Sequence, residues 1–411
     1  MTQKPLSLAK DKIRFLLLEG VHPQAEAVLR QRGYSQITTI PTAIDNEQLL
    51  HEVSKVHFLG IRSRTQVTEA VLGSAERLLA IGCFCIGTDQ VDLNAARQRG
   101  VSVFNAPYAN TRSVAELVLA EIIMLMRGIP ARNAAAHRGQ WLKGAQGSHE
   151  VRGKTLGIIG YGHIGSQLGI LAEGLGMHVI YHDIDAKLPL GNAEASESLE
   201  HVLASAEVVS LHVPDTEQTR HLIDATRLSQ MRAGAHLINA SRGQVVDIDA
   251  LREALTAGHI AAAAIDVFPV EPAGNNEPFE SPLCGLDNVL LTPHIGGSTH
   301  EAQENIARDV AAKLTHYSDN GSTMGAVNFP QVALPDHANA RRIMHIHRNE
   351  PGVLQALNAA ISESEVNIAA QYLQTLPDVG YVVMDLECAD PAAIVERLSA
   401  LPATIRCRYL L

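Results

Sequence analysis

The sequence predicts an α/β protein of two lobes, each a doubly wound parallel sheet, followed by a small C-terminal unit of ferredoxin-like order. Three observations carry that expectation. A strand, a glycine-rich turn, a helix and a second strand follow one another from Thr155 to Asp183. Short apolar runs alternate with helical stretches on both sides of it, as a parallel sheet with helical crossovers requires. Residues 341–411 then run strand, helix, strand, strand, helix, strand, the βαββαβ arrangement.

At 411 residues, 46% hydrophobic and 19% charged, the chain is ordinary globular material and too long for a single core. A formal net charge of −11 argues against nucleic acid or an anionic membrane as partner, and any anionic substrate needs a local basic pocket. The apolar run nearest in length to a membrane span, Val114 to Met126, is broken by Glu116 and Glu121. The opening MTQKPLSLAKDK has no apolar signal-peptide core, so a cytoplasmic location is expected. The five cysteines show no C-x-x-C spacing; Cys83 and Cys85 read as small core residues. No metal site is expected, because neither H-E-x-x-H nor a Cys/His cluster occurs.

In chain order, Phe15–Leu18 is a strand and His22–Arg32 a helix stopped by Gly33. Strands follow at Val56–Ile61, Leu79–Ile86 and Val101–Phe104, with helical spacing over Glu69–Ala75. Arg62-Ser63-Arg64 comes directly after a strand. Alone it reads as a solvated basic loop, but at the carboxyl end of a parallel strand it also suits a carboxylate or phosphate. Ser113–Arg127 is a long apolar helix ended by Gly128. Residues 131–147 follow as a helix and loop around Trp141, an arm against another subunit or a cover of the chain's own surface.

Leu156–Ile159 is too short for a helix and reads as a buried strand. In Gly160-Tyr161-Gly162-His163-Ile164-Gly165, Gly160 allows the tight turn, Gly162 lets backbone approach a pyrophosphate, and Gly165 lets helix pack on strand. Ile164, Leu168, Leu171, Ala172 and Leu175 are spaced as a helix whose N-terminus favours phosphate. Asp183 ends the next strand 18 residues beyond Gly165, near the place of an acid that bonds the adenosine ribose, and it favours NAD over NADP. Four more strands, Val208–Val213, His236–Ala240, Ala261–Val267 and Asn288–Leu291, make six in a Rossmann-like sheet.

The carboxyl ends of those strands deliver Arg242, Glu271 and His294 to one edge. Oxidising a secondary alcohol beside a carboxylate needs that set: a bidentate cation, a base poised near neutrality and an acid to orient it. Asn239–Gly243 (NASRG), Asp266–Pro272 (DVFPVEP) and Thr292–Gly297 (TPHIGG) resemble the motifs of the D-isomer-specific 2-hydroxyacid dehydrogenases. The resemblance covers nearly the whole chain and points to the bacterial branch that ends in an ACT domain, with IGCFCIGTDQVDL, VFNAPYANTR and SDNGST adding to it.

It implies His294 as acid/base, Glu271 as its partner and Arg242 as the carboxylate clamp. It implies that Arg62, Ser63, Arg64 and Asn110 line the substrate side. His163, Ile164, Asp183, Ala240, Ser241, Asp266, Gly296 and Gly297, with the three glycines of the turn, would contact NAD. The implied substrate is 3-phosphoglycerate, with 2-oxoglutarate a second one, in a homotetramer. The implied domains are residues 1–109 with 298–330 (substrate lobe), 110–297 (cofactor lobe), 331–340 (linker) and 341–411 (ACT). In that last domain His347, Asn349 and Asn367 would hold L-serine as effector, unless the module serves dimerisation alone. Two other readings remain: a dehydrogenase of another D-2-hydroxy acid, and a non-catalytic NADH-sensing corepressor of the same two-lobed fold.

Overall fold

The computed structural model describes residues 7–272, 274, 277–335 and 341–410. The chain divides into two compact units, Met1–Ala109 with Gln303–Leu411, and Asn110–Ala302.

The first unit holds two sheets. One is parallel: β1 (Arg14–Leu17), β2 (Gln36–Thr39), β3 (Phe58–Ile61), β4 (Ala80–Cys83) and β5 (Ser102–Phe104), in the order β2-β1-β3-β4-β5. Strand alternation sends Phe15, Phe58 and Phe104 to one face, where the helix His300–Asn320 lays Val310, Leu314 and Tyr317 against them. Gly82 makes that approach close, since a methyl group there would lie 2.7 Å from Val310 and 2.9 Å from Leu314. Leu16, Leu59, Ile61 and Val103 fill the opposite face with Leu49, Val53, Val71 and Leu72. Sequence periodicity misses β2 and the helix Asn46–Val53. β2 is a polar, largely exposed edge strand, and the helix is a short one capped by Asp45 through the Gln48 N–H.

Residues 321–335, which include the first half of the expected linker, have irregular backbone yet are packed. Asn328 accepts from the Val103 N–H at 2.8 Å and donates to the Val101 carbonyl at 2.9 Å, and Phe329 and Val332 are buried. The remainder of the expected linker, 336–340, lies outside the described residues.

The antiparallel sheet of this unit closes the chain. It reads β14-β15-β13-β16, where β6 to β12 belong to the other unit and β13 is Arg341–Arg348, β14 Ile368–Thr375, β15 Val379–Leu386 and β16 Thr404–Tyr409. One face carries the helices Val353–Ser362 and Ala392–Ser399 on Ile343, Val382 and Met384. The other face, with Met344, Ile346 and Tyr381, joins the cluster around Tyr317. Three of its side chains take up carbonyls where His300–Asn320 ends: Arg408 donates to Tyr317 O, Arg342 to Asn320 O and Tyr381 to Gly321 O. Two of these donors are cations at a helix C-terminus, where orphan carbonyls and the dipole favour them. Arg342 is fully buried and also forms a two-point ion pair with Asp385 at 2.7 Å.

The second unit is one parallel sheet of seven strands in the order β12-β11-β10-β9-β6-β7-β8. They are β6 (Thr155–Ile159), β7 (His178–His182), β8 (Glu194–Ala195), β9 (Val208–Leu211), β10 (Ala235–Asn239), β11 (Ile260–Ile265) and β12 (Val289–Leu291). The sequence reading has six. β8 escapes it as a two-residue exposed edge with no apolar run. The order reverses between β6 and β9, the switch point where such sheets bind ligands. The helix Thr111–Met126 lies across the sheet, burying Val114, Ala115, Val118, Ile122 and Leu125 with Ile158, Val208 and Ile238. No described helix is long and apolar enough to cross a membrane.

Candidate active site

The glycine turn joins β6 to the helix His163–Gly174. Gly160 has φ +91°, and a side chain there would strike the His212 carbonyl; one at Gly165 would strike the Gly160 carbonyl. Gly162 differs, because a methyl group there would meet nothing within 4 Å. It is also the helix N-cap and supplies no side-chain cap. Open space beside a helix N-terminus suits a pyrophosphate. Asp183, just past β7, accepts from the Tyr161 N–H at 2.8 Å and the Asp185 N–H at 2.9 Å. The acid therefore also braces the turn. His163 and Ile164 open the helix, the first exposed and the second partly buried.

Adjacent parallel strands β10, β11 and β12 deliver the reactive groups to one edge of the sheet. After β10, Asn239 organises the loop. Its Oδ1 accepts from the Ser241 N–H and hydroxyl at 3.1 and 2.8 Å, and its Nδ2 donates to Arg242 O at 3.0 Å. Ala240 sits between them, half-buried. Arg242 donates one N–H to Ser241 O at 2.7 Å. Gly243 is pressed against the Phe268–Pro269 backbone, which couples the Arg242 loop to the one bearing Glu271.

Past β11, Asp266 is 2% exposed and holds the His294 turn together. Its carboxylate accepts from Thr292 Oγ1 at 2.6 Å, Ile295 N–H at 2.8 Å and Gly296 N–H at 2.9 Å. Its carbonyl accepts from the His294 N–H at 2.8 Å. These bonds keep His294 at φ +54°, the left-handed region that non-glycine residues avoid. His294 Nδ1–H then donates to Glu271 Oε2 at 2.8 Å, while Glu271 Oε1 accepts from the Phe268 N–H at 3.0 Å.

The bond to Glu271 raises the pKa of His294 against the opposing effect of burial, and the charges of Glu271 and Asp266 add to it. Burial pushes Glu271 upward, but the His294 bond, the Phe268 N–H and the Arg242 charge outweigh it and hold the carboxyl below its ordinary range. With Nδ1 committed to Glu271, Nε2 is the nitrogen left for proton exchange.

Gly297 lies against Asn110, whose Nδ2 would be 2.5 Å from a methyl group placed there. Nearby, Ser113 and Thr299 hydroxyls meet at 2.7 Å. In the sequence Glu121 only interrupts an apolar run. It is 1% exposed, both its oxygens lack a hydrogen-bond partner, and burial followed by the charge of Asp266 pushes its carboxyl up to about 8.

In the other unit, Arg62, Ser63 and Arg64 follow β3, with Ser63 and Arg64 exposed and Arg62 half-buried. Two side chains that sequence reading did not single out, Glu19 and Gln90, hold this loop by its backbone.

The family model described as the NAD-binding domain of D-isomer-specific 2-hydroxyacid dehydrogenases matches residues 119–296. The D-3-phosphoglycerate dehydrogenase of Escherichia coli strain K12 is 60% identical over 407 residues, covering 98% of this chain and 99% of that one. That of Haemophilus influenzae is 58% identical over 410 residues, all of both chains. The chain belongs to the D-isomer-specific 2-hydroxyacid dehydrogenase family. The fold agrees: a D-lactate dehydrogenase from Aquifex aeolicus, solved with NAD and lactic acid, has TM-score 0.66 and 25% identity over 77% of this chain and all of that one. A D-2-hydroxyisocaproate dehydrogenase has TM-score 0.69 at 25% identity, over 77% of this chain and all of that one.

This dehydrogenase uses NAD, and the open glycine at 162 and the uncapped helix behind it fit that cofactor. NAD supplies the hydride acceptor. Residues 343–406 match an ACT-domain model of the small-subunit type. Within it His347 lies on β13, 2% exposed, its ring 5.4 Å from that of His345, and burial lowers its pKa. Asn349 donates to Leu376 O at 2.9 Å and Asn367 to Glu387 at 2.8 Å.

Proposed function

We propose that this dehydrogenase oxidises 3-phospho-D-glycerate to 3-phosphooxypyruvate, the first step of the phosphorylated route to L-serine. The observation that carries the chemistry is the 2.8 Å bond from His294 to Glu271, with the charge of Arg242 acting on both. The substrate follows from full-length relatives of that name and from the two-arginine loop after β3. In this reading Arg242 clamps the C1 carboxylate bidentately and fixes the C2 carbon. His294 Nε2 removes the hydroxyl proton as the C2 hydride departs, and Glu271 stabilises the resulting imidazolium. In the reverse direction protonated His294 returns that proton to the carbonyl oxygen. Arg62, Ser63, Arg64 and Asn110 serve the substrate side, while His163, Ile164, Asp183, Ala240, Ser241, Asp266, Gly296 and Gly297 serve the cofactor.

The same pocket reduces 2-oxoglutarate to 2-hydroxyglutarate, which is also doubly anionic. L-serine, taken up at His347, Asn349 and Asn367, lowers turnover in a cytoplasmic homotetramer. A panel of 2-hydroxy and 2-keto acids, followed by NADH absorbance with and without L-serine, tests these assignments together. The expected pattern is fastest oxidation of 3-phosphoglycerate and a rate that falls with serine. Equal rates on D-lactate and 3-phosphoglycerate would transfer the assignment to another 2-hydroxy acid. Absence of hydride transfer with every acid would leave the NADH-sensing reading in its place.

A further inference from the structure

The loop after β3 turns three consecutive-region backbone donors toward one point. Arg62 N–H, Arg64 N–H and Thr65 N–H reach the carboxylate of Glu19 at 3.2, 3.0 and 2.9 Å. Converging backbone N–H groups of this kind form an anion-binding concavity. Here the anion comes from the protein itself. The Arg62 carbonyl is held from the other side by Gln90 Nε2 at 2.6 Å, so both backbone polar groups of Arg62 are tied to side chains. Gln90 also reaches the Cys85 sulfur at 3.3 Å.

Glu19 is itself unusual. It is 8% exposed and has φ +62°, followed by Gly20 at φ +61°. The backbone is secured by Leu18 N–H to Gly60 O at 2.8 Å, Glu19 N–H to Thr42 O at 3.1 Å and Gly20 N–H to Ile40 O at 3.2 Å. A glutamate held left-handed where glycine would be easier indicates that its side chain has a task. β1 is a neighbour of β3, so a residue just past β1 can send a carboxylate under the loop that follows β3.

We propose that Glu19 is a positioning residue for substrate recognition: it fills the backbone anion nest of residues 62–65, so that a substrate's second anionic group is met only by the Arg62 and Arg64 side chains. This inference rests on the reading of that loop as the seat for the phosphate. With the nest filled, the guanidiniums start from a fixed backbone, and selection between a phosphorylated and an unphosphorylated 2-hydroxy acid depends on how firmly they start there.

The test compares Glu19→Gln, Glu19→Ala and Gln90→Leu with an Arg62→Ala/Arg64→Ala double variant, each checked by thermal denaturation. KM and kcat are measured for 3-phosphoglycerate and for D-lactate, and NADH affinity by fluorescence. Glu19→Ala leaves buried donors unpaired and should raise KM for 3-phosphoglycerate on the order of tenfold. KM for D-lactate, kcat and NADH affinity should stay within about twofold. Glu19→Gln keeps one acceptor and should recover part of the loss, and Gln90→Leu should shift the same ratio in the same direction. Folded Glu19 variants that leave the KM ratio of the two substrates unchanged, or that raise both KM values alike, overturn the proposal. If Glu19→Ala does not fold, Glu19→Gln and Gln90→Leu decide by the same ratio. If the double arginine variant also leaves the ratio unchanged, the phosphate-seat reading falls with it. If the arginines change the ratio and Glu19 does not, only the present inference fails.

Discussion

Replacing Gly243 by alanine isolates how closely the catalytic loops are packed. The added methyl group would overlap the carbonyl of Phe268 and lie 2.5 Å from Pro269 N, whereas ordinary contact begins at 3.4 Å. Backbone on one side or the other must therefore give way by about 0.9 Å at Pro269 N and by more at the Phe268 carbonyl, and no flexible side-chain end is available to absorb it. Arg242 is the preceding residue, and the Phe268 N–H is bonded to Glu271. Displacement thus separates the clamp from the histidine's partner. A misplacement of about 1 Å can cost roughly 10²-fold in rate, so kcat/KM should fall by about that factor. Overpacking costs about 1–3 kcal/mol; at the middle of that range, a unit of this size should lose roughly 4–8 °C in thermal midpoint. NADH affinity should change less than the rate, because the glycine turn and Asp183 stand at the ends of β6 and β7, although Ala240, Ser241 and Asp266 are close to the displaced backbone. Initial rates, NADH fluorescence titration and calorimetry give the three numbers. An alanine variant with unaltered rate and midpoint would refute the close approach of these loops.

Glu271→Gln removes the carboxylate whose hydrogen bond, and then charge, raise the His294 pKa. A base must be neutral to act, so the acid limb of alcohol oxidation should move to lower pH, while ketone reduction, which needs protonated His294, should weaken above neutrality; superimposable pH profiles would exclude the coupling. Arg242→Lys replaces a planar fork with a point charge and should lose most turnover while still binding NADH. Retained activity would remove that residue from the mechanism. Glu121→Gln tests the buried acid through stability. A carboxyl raised from 4.5 to about 8 stabilises the fold fully below the unfolded value and loses that contribution as pH rises through about 8. The glutamine variant should therefore show a flatter dependence of stability on pH between those limits, and parallel curves for both proteins would show that Glu121 is not held neutral.

Much of the fold was legible because it rests on short-range pattern. The strands expected at Leu156–Ile159 and Val101–Phe104 are found as β6 and β5, each with one end shifted by a single residue. The strands that escaped, β2 and β8, are exposed edges, where no buried face imposes an apolar alternation. The placement of Arg242, Glu271 and His294 at one edge was also readable, since parallel strands all end on the same side of a sheet. What spacing could not show is Glu19. It is one acid in an apolar run, and its three partners lie more than forty residues away. The family resemblance implies Asp266 as a cofactor contact; the structure shows in addition a buried carboxylate holding Thr292, Ile295 and Gly296.

The sequence by itself determined the order of the elements, the glycine turn, the acid after the second strand and the kinds of reactive residue. Those depend on backbone conformation and on polarity repeated over a few positions, which neighbouring residues encode. Only the tertiary structure decided which carboxylate braces the histidine's turn, which is buried without a hydrogen-bond partner and which secures the arginine loop. A carboxylate's behaviour is set by the donors and the depth of burial around it, and groups from distant parts of the chain supply both.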